Sequence, residues 1–178
     1  MENLNKFYEL VENQFKYGGK KYAQTETKEA TDVLFDDFGR NWLYGTMAKY
    51  CKRYSNLARE RDLLKIACYM FILWLKRGFQ ESAEGSSYPI NTTVEIKTKY
   101  FLTFKNRVEL IKLSITNLNK QNPIGRIYNL LKQFANRAFS QVKERELVEI
   151  FLTAYYIWNV EIKNKGNDLD TYNEERNG

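Results

Sequence analysis

Apolar side chains recur along most of this chain at intervals of three and four residues, which is the spacing of a buried helix face. Alternation of apolar and polar positions, the mark of a half-buried strand, never extends beyond three or four residues. We therefore expect an all-α bundle of about seven helices. Six of the predicted helices span residues 3–17, 41–57, 58–77, 94–119, 124–140 and 143–163. The seventh lies between the first two of these: it begins at a cap, Thr25 or Thr27, and ends at residue 38.

Turn-forming residues divide this pattern into two halves. Residues 79–93 (FQESAEGSSYPINTT) are rich in serine, glycine and glutamate, a composition typical of a linker. The linker separates an N-terminal helical half, residues 1–78, from a C-terminal half, residues 94–164. Because 178 residues suffice for two small halves that share one core, we expect a shared core. A polar tail follows at residues 165–178.

One segment occurs twice. Residues 49–74 and 133–158 align without a gap at a shift of 84, with six identities in 26 positions. Two such hairpins, each with one helix that is apolar on all sides, would bury those helices against each other in a pseudo-two-fold bundle. The alternative is that amphipathic hairpins resemble each other by chance. The identical pairs are Arg53/Arg137, Glu60/Glu144, Arg61/Arg145, Leu63/Leu147, Ile66/Ile150 and Trp74/Trp158.

The composition excludes several kinds of site. Histidine is absent, which removes the commonest general base and the usual metal ligands. Cys51 and Cys68 lie on apolar helix faces, so we expect buried, reduced thiols. The longest apolar run, residues 66–75, is too short to span a bilayer, and the N-terminus lacks the features of a signal peptide. These features predict a cytoplasmic protein with no membrane association.

A net charge of +6 and a pI near 9.1 favour an acidic partner, and the cations cluster. On the third predicted helix they alternate with Tyr50 and Tyr54, and Lys132 is among those at comparable positions in the second half. Cations interleaved with tyrosines suit a phosphate backbone and unstacked bases, so we expect nucleic-acid binding. Alternatively, this is a solvated face whose arginines pair internally with Glu60, Glu144 or their neighbours. The candidate binding residues are Lys49, Lys52, Arg53, Arg59, Arg61, Arg137, Lys143 and Arg145.

The strings KYGGKKYA, FGRNWLYGTMAKYCKRYSNL and RDLLKIACYMFILW, within residues 15–75, resemble a known group. It comprises small, phage-borne helical proteins associated with nucleotide modification, which lie near the all-α MazG-like nucleotide pyrophosphohydrolases. Residues 124–158 resemble the same group more faintly. The resemblance implies magnesium-dependent attack of water on a nucleoside triphosphate, with Mg²⁺ held by about four carboxylates from two helices.

The carboxylates available for such a site are incomplete. Lys65 occupies the position where Asp62 would need an acidic partner, and no acidic pair precedes the second-half candidates. The alternative is that these side chains are solvated or pair with lysines and arginines along their helices. The candidates are Glu9, Glu12, Asp62, Glu146 and Glu149.

The sequence thus favours a non-catalytic, basic helical protein that needs no cofactor. It would bind nucleic acid or act as a subunit of a nucleoprotein complex, in a phage or antiviral setting. The runner-up is the MazG-like nucleotide-binding or hydrolysing protein. A third interpretation is a protein-interaction surface or homo-oligomer, marked by Tyr155, Tyr156 and Trp158 if they are exposed rather than part of the core.

Overall fold

The computed structural model describes residues 1–21, 29–86, 89–116, 118 and 121–165. Over these ranges the chain is 77% helical, with seven α-helices and no strand, so the predicted all-α fold is confirmed. No helix in the described ranges is long and apolar enough to cross a membrane. The α-helices are α1 (Leu4–Lys21), α2 (Ala30–Phe38), α3 (Arg40–Leu57), α4 (Glu60–Lys76), α5 (Val94–Ile111), α6 (Pro123–Ala135) and α7 (Glu144–Ile157).

Some helix ends differ from the prediction. α1 continues through Gly18-Gly19 to Lys21, because glycine inside a helix costs only about 1 kcal/mol and does not by itself end it. The sequence predicts that α7 reaches residue 163, but it ends at Ile157 and is followed directly by a π-helix, Trp158–Ile162. The suggested caps of α2, Thr25 and Thr27, lie outside the described residues.

The fifth helix is shorter than predicted. α5 ends at Ile111 and is followed by a 3₁₀ turn, Lys112–Ser114. The Ser114 hydroxyl donates to the Ile111 carbonyl at 2.9 Å, and the Arg145 guanidinium donates to the Ser114 carbonyl at 2.8 Å. Serine side chains that bond to nearby backbone groups compete with helix continuation, which accounts for the early end.

The core is built around α4. Fifteen of its 17 residues are buried, so it is covered on every side, as its all-round apolar pattern predicts. It packs most extensively against α7 and then against α3 and α1. Phe104 of α5 lies in a cluster of rings, with centroids 5.0 Å from Phe71, 5.3 Å from Trp74 and 5.1 Å from Phe151. Both halves of the chain therefore contribute to a single core.

Two hydrogen bonds relate α4 and α7 reciprocally. Trp74 Nε1, near the end of α4, donates to Glu144 Oε2 at the start of α7 at 2.9 Å. Trp158 Nε1, just past the end of α7, donates to Glu60 Oε2 at the start of α4 at 3.3 Å. The two pairs correspond at the shift of 84 residues, and they require α4 and α7 to run antiparallel. These are the contacts that two equivalent hairpins would make, while the internal duplication and its two-fold axis remain a prediction.

The predicted linker is fixed to the bundle by a buried polar network. Lys76 Nζ donates to Asp32 Oδ1 at 2.7 Å and to the Ile90 carbonyl at 2.7 Å. The backbone N–H of Thr92 donates to both Asp32 oxygens at 2.8 Å, and its hydroxyl donates to Oδ1 at 2.8 Å. Asp32, Lys76 and Thr92 are each at most 1% exposed. This network joins α2, the end of α4 and the segment that leads into α5.

Candidate functional site

Two of the predicted binding arginines pair with acidic side chains of the chain itself. Arg137 donates to both carboxylate oxygens of Glu146, at 2.7 and 3.1 Å. Arg53 Nε lies 3.8 Å from Asp62 Oδ1. The two pairs again correspond at the shift of 84. For these two arginines the structure therefore matches the alternative of internal pairing with neighbours of Glu60 and Glu144.

The other arginines predicted to bind nucleic acid are partly buried or hydrogen-bonded within the protein. Arg61 is 8% exposed at the start of α4, and Arg59, the N-cap residue of that helix, is half-buried. Arg145 is exposed, but its guanidinium donates to the carbonyl of Ser114. Lys143 is exposed at the N-cap of α7. The eight candidates thus do not form one continuous solvated surface.

A smaller basic surface remains on α3 and α6, which pack against each other. Lys52 Nζ lies 4.6 Å from the centre of the Tyr128 ring, and Lys132 Nζ lies 5.9 Å from the same ring. Lys49, Lys52 and Lys132 are exposed, and none forms an ion pair with a carboxylate in the part of the chain that the structure describes. We call Lys49, Lys52, Tyr128 and Lys132 the basic face.

Tyr50 joins this face to the interior. Lys49 Nζ lies 4.9 Å and Lys65 Nζ 5.1 Å from its ring centre, and Arg53 Cζ lies at 5.9 Å. The ring itself is 7% exposed and stacks on Tyr69, with centroids 6.0 Å apart and an interplanar angle of 15°. Three cations around one aromatic ring, of which Lys49 is exposed, produce a local positive potential.

Behind Tyr50 lies a cavity of about 230 Å³. It is enclosed mainly by α1, α2, α3 and α4, and sequence reasoning did not find it. The sequence signals were weak, because the wall residues come from separate helices and share no motif. Its aromatic walls are Phe15, Tyr17, Trp42, Tyr50 and Tyr69, and its polar lining is Gln14, Glu29, Thr31, Lys65, Cys68 and Lys97.

The carboxylates proposed for a magnesium site do not form one. No group of three or more acidic or cysteine side chains in the described ranges is placed to hold a metal ion. Glu9 and Glu12 lie along α1 beside Lys6 and Lys16, at 3.8 and 3.6 Å. On α7, Glu146 and Glu149 pair with the arginines Arg137 and Arg126 respectively.

Asp62 differs from the other carboxylates because it is fully buried. Neither of its side-chain oxygens accepts a hydrogen bond within the described part of the chain, and Arg53 Nε lies 3.8 Å from its Oδ1. Burial raises the pKa of the Asp62 carboxyl above its ordinary value, although Arg53 and three neighbouring cations oppose the change. The Asp62 carboxyl therefore keeps its proton to a higher pH in the folded state than in the unfolded chain.

This pKa shift predicts a pH-dependent effect of Asp62→Asn. A raised pKa in the folded state stabilises the fold below the ordinary aspartate pKa, about 3.9, and the benefit is lost as the pH rises. Since asparagine has no proton to lose, the variant should gain stability relative to wild type between pH 4 and pH 7. Urea unfolding at pH 4, 5.5 and 7 measures this difference. A difference that stays constant or reverses would mean that the cations keep Asp62 charged.

The two cysteines are free and buried, as predicted. Burial raises the pKa of each thiol to about 12, so both are protonated at neutral pH. Cys68 Sγ donates to the carbonyl of Val11 at 3.5 Å. These thiols therefore lack the thiolate character of a nucleophile or a metal ligand.

The aromatic residues proposed for a partner surface belong to the core. Tyr155 and Trp158 are each 3% exposed, and both rings contact Phe7, at 5.7 and 5.5 Å. Tyr156 is half-buried. Tyr155 and Trp158 therefore match the alternative that these aromatic residues belong to the core, because the π-helical segment after α7 packs on α4 and α1.

Comparisons with family models, with curated proteins and with solved structures each find no match to this chain. The function must therefore be inferred from the surfaces and cavities themselves. Two features stand out, namely the basic face on α3 and α6 and the aromatic cavity behind Tyr50.

Proposed function

We propose that this protein binds single-stranded nucleic acid through the basic face. The observation that carries the proposal is the placement of Lys49, Lys52 and Lys132. All three are exposed, and none is neutralised by a carboxylate in the described ranges. Lysines that retain their full charge can replace the counterions of a phosphate backbone, which is the main source of affinity in such complexes.

The tyrosines on and beside this surface favour a single strand over a duplex. Tyr128 is half-buried between Lys52 and Lys132, so part of its ring is accessible where phosphates would bind. Unstacked bases can lie against such rings whatever their sequence. The face is also narrow, since it involves one side of two adjacent helices. A strand held here could be shared with other subunits of a nucleoprotein complex.

The charge of the whole chain supports attraction to a polyanion. Residues 166–178 contain four acidic residues and one arginine, so the net charge of +6 becomes +9 for residues 1–165. An excess of this size speeds the encounter with nucleic acid at low salt. The proposal therefore predicts binding that weakens steeply as the salt concentration rises.

A triple variant tests the basic face. We expect Lys49→Ala, Lys52→Ala and Lys132→Ala together to lower the affinity for a 20-nucleotide single strand by roughly 50-fold at 150 mM salt. The slope of log K against log salt should fall by about 2, since each lysine contact with a single strand contributes about 0.7. Fluorescence anisotropy with labelled DNA and RNA strands, over a series of salt concentrations, gives both quantities.

The matched control removes the same charge from lysines that already have acidic partners. Lys6, Lys16 and Lys112 pair with Glu9, Glu12 and Glu109, and their triple alanine variant should lose only a fewfold in affinity. An equal loss in both variants would show that net charge alone drives binding. Absence of binding by the wild-type protein to either strand would end the proposal.

A further inference from the structure

The cavity behind Tyr50 is next to the basic face and has no role in the binding described above. We propose that it accommodates a single nucleobase, with the phosphate of that nucleotide lying against the cations around Tyr50. The base belongs either to a bound strand, in which case the inference rests on the proposed function, or to a free nucleotide. The chemistry of recognition is the same for both sources.

The walls of the cavity suit a flat aromatic ring. Trp42 and Tyr69 meet nearly at right angles, with centroids 6.4 Å apart and an interplanar angle of 89°. Tyr50 is nearly parallel to Tyr69, so the lining offers ring faces in two orientations. A planar ligand can stack on one ring while its edge meets another, the two arrangements that aromatic pairs prefer. Trp42 is half-buried and remains accessible from the cavity side.

The volume limits the size of the occupant. Pockets that take drug-sized molecules begin at about 300 Å³, so 230 Å³ suits a smaller ring system. A base pair does not fit, whereas one base does. This agrees with a single-stranded partner, whose bases are free to turn away from the strand.

The cavity also offers polar groups for the edge of a base. Gln14 lines it and is only 5% exposed, and its Oε1 has no hydrogen-bond partner in the part of the chain that the structure describes. A buried amide oxygen without a partner is rare, and an occupant with amino and ring N–H donors would supply one. Thr31 and Glu29 add a hydroxyl and a carboxylate to the lining. A primary amide both donates and accepts, which matches the mixed edge of a nucleobase.

The charges place the phosphate on the Tyr50 side. Deep in the lining, Lys97 Nζ lies 3.2 Å from Glu29 Oε2, so the charges of these two residues offset each other. Lys65 also lines the cavity and shares the Tyr50 ring with Lys49 and Arg53. Lys49 is an exposed member of the basic face and contacts the Tyr50 ring, so this end of the cavity is linked to that face. A nucleotide with its base inside would therefore direct its phosphate toward three cations.

The Ala30→Phe variant tests whether the cavity binds a base, and it does so without replacing a buried core side chain. Ala30 is exposed at the first position of α2 and lines the cavity, so a phenyl group there occupies the space from its rim. The matched control is Val33→Phe on the same helix, which is 39% exposed and does not line the cavity. Both variants should unfold at the same urea concentration as wild type, which confirms that each is folded.

The probes separate the two sources of the base. Isothermal titration calorimetry is done with AMP, CMP, GMP and UMP, and with ribose 5-phosphate, which has the phosphate but no base. Anisotropy is measured with a 12-nucleotide strand and with the same strand made fully abasic. We expect the abasic strand to bind roughly tenfold more weakly than the intact one, since stacking of a base on an aromatic ring contributes about this factor or more.

Each outcome bears on the inference. If Ala30→Phe weakens binding of the intact strand but not of the abasic strand, while Val33→Phe changes neither, the cavity takes a base of the strand. If mononucleotides bind wild type but not Ala30→Phe, and ribose 5-phosphate does not bind, it takes the base of a free nucleotide. If intact and abasic strands bind equally, mononucleotides do not bind and Ala30→Phe has no effect, the inference is wrong, although strand binding by the basic face would stand. No binding of any probe overturns both.

Discussion

Lys76→Met should lower the free energy of unfolding by about 3–5 kcal/mol, the loss typical of removing one partner of a buried ion pair. Lys76 is 1% exposed, and its ammonium donates to Asp32 and to the carbonyl of Ile90. Methionine matches the length of the lysine side chain but leaves the Asp32 carboxylate buried, with Thr92 as its one remaining donor residue among those that the structure describes. Urea denaturation at pH 7 measures the loss.

Two further variants separate the ion pair from general damage. Lys6→Met removes a surface lysine whose pairing with Glu9 is exposed, so it should change the stability by less than about 0.5 kcal/mol. The double variant Asp32→Leu with Lys76→Met should be more stable than Lys76→Met alone, because no unpaired charge stays buried. If Lys76→Met cost no more than Lys6→Met, the network would not stabilise the fold.

Phe104→Ala should lower the free energy of unfolding by a similar amount, about 3–5 kcal/mol. The Phe104 side chain is fully buried and contacts rings from both halves of the chain, among them Phe71 and Phe151. Alanine would leave a cavity at the centre of this cluster, since helices on opposite sides of the core limit its collapse. Chemical denaturation, followed by tryptophan fluorescence, reports the change.

Leu102→Ala is the matched control for this variant. Leu102 lies two residues earlier on α5 and is 63% exposed, so its removal should cost no more than about 0.5 kcal/mol. Comparable losses for Leu102→Ala and Phe104→Ala would mean that the measured effect comes from helix propensity in α5. A loss below about 1 kcal/mol for Phe104→Ala would mean that the aromatic cluster repacks around the vacancy.

The periodic features of the chain could be predicted from its sequence. The pattern along residues 58–77 is apolar on every side, and α4 is indeed the central helix. The thiols of Cys51 and Cys68 lie on apolar faces and are buried. Such predictions succeed because the spacing of apolar residues along one helix determines which of its faces must be buried.

The features that join distant residues could not be predicted. The network of Asp32, Lys76 and Thr92 brings together side chains separated by up to 60 positions, and none of them stands out locally. Trp42 and Tyr69 meet at the cavity only because α3 packs on α4 at a particular rotation. Spacing placed Arg53 next to Lys52, beside the basic face, but it did not show that Arg53 Nε would lie 3.8 Å from the buried Asp62 carboxylate.

The exchange of hydrogen bonds between α4 and α7 has a consequence for how this chain could be divided. Trp74 finds its acceptor, Glu144, only in the C-terminal half, and Trp158 finds Glu60 only in the N-terminal half. A fragment cut at the linker would carry an indole N–H and a carboxylate whose hydrogen-bond partners lie in the other fragment. When two such fragments are mixed in solution, each supplies the hydrogen-bond partners that the other lacks, so reassembly would restore both bonds.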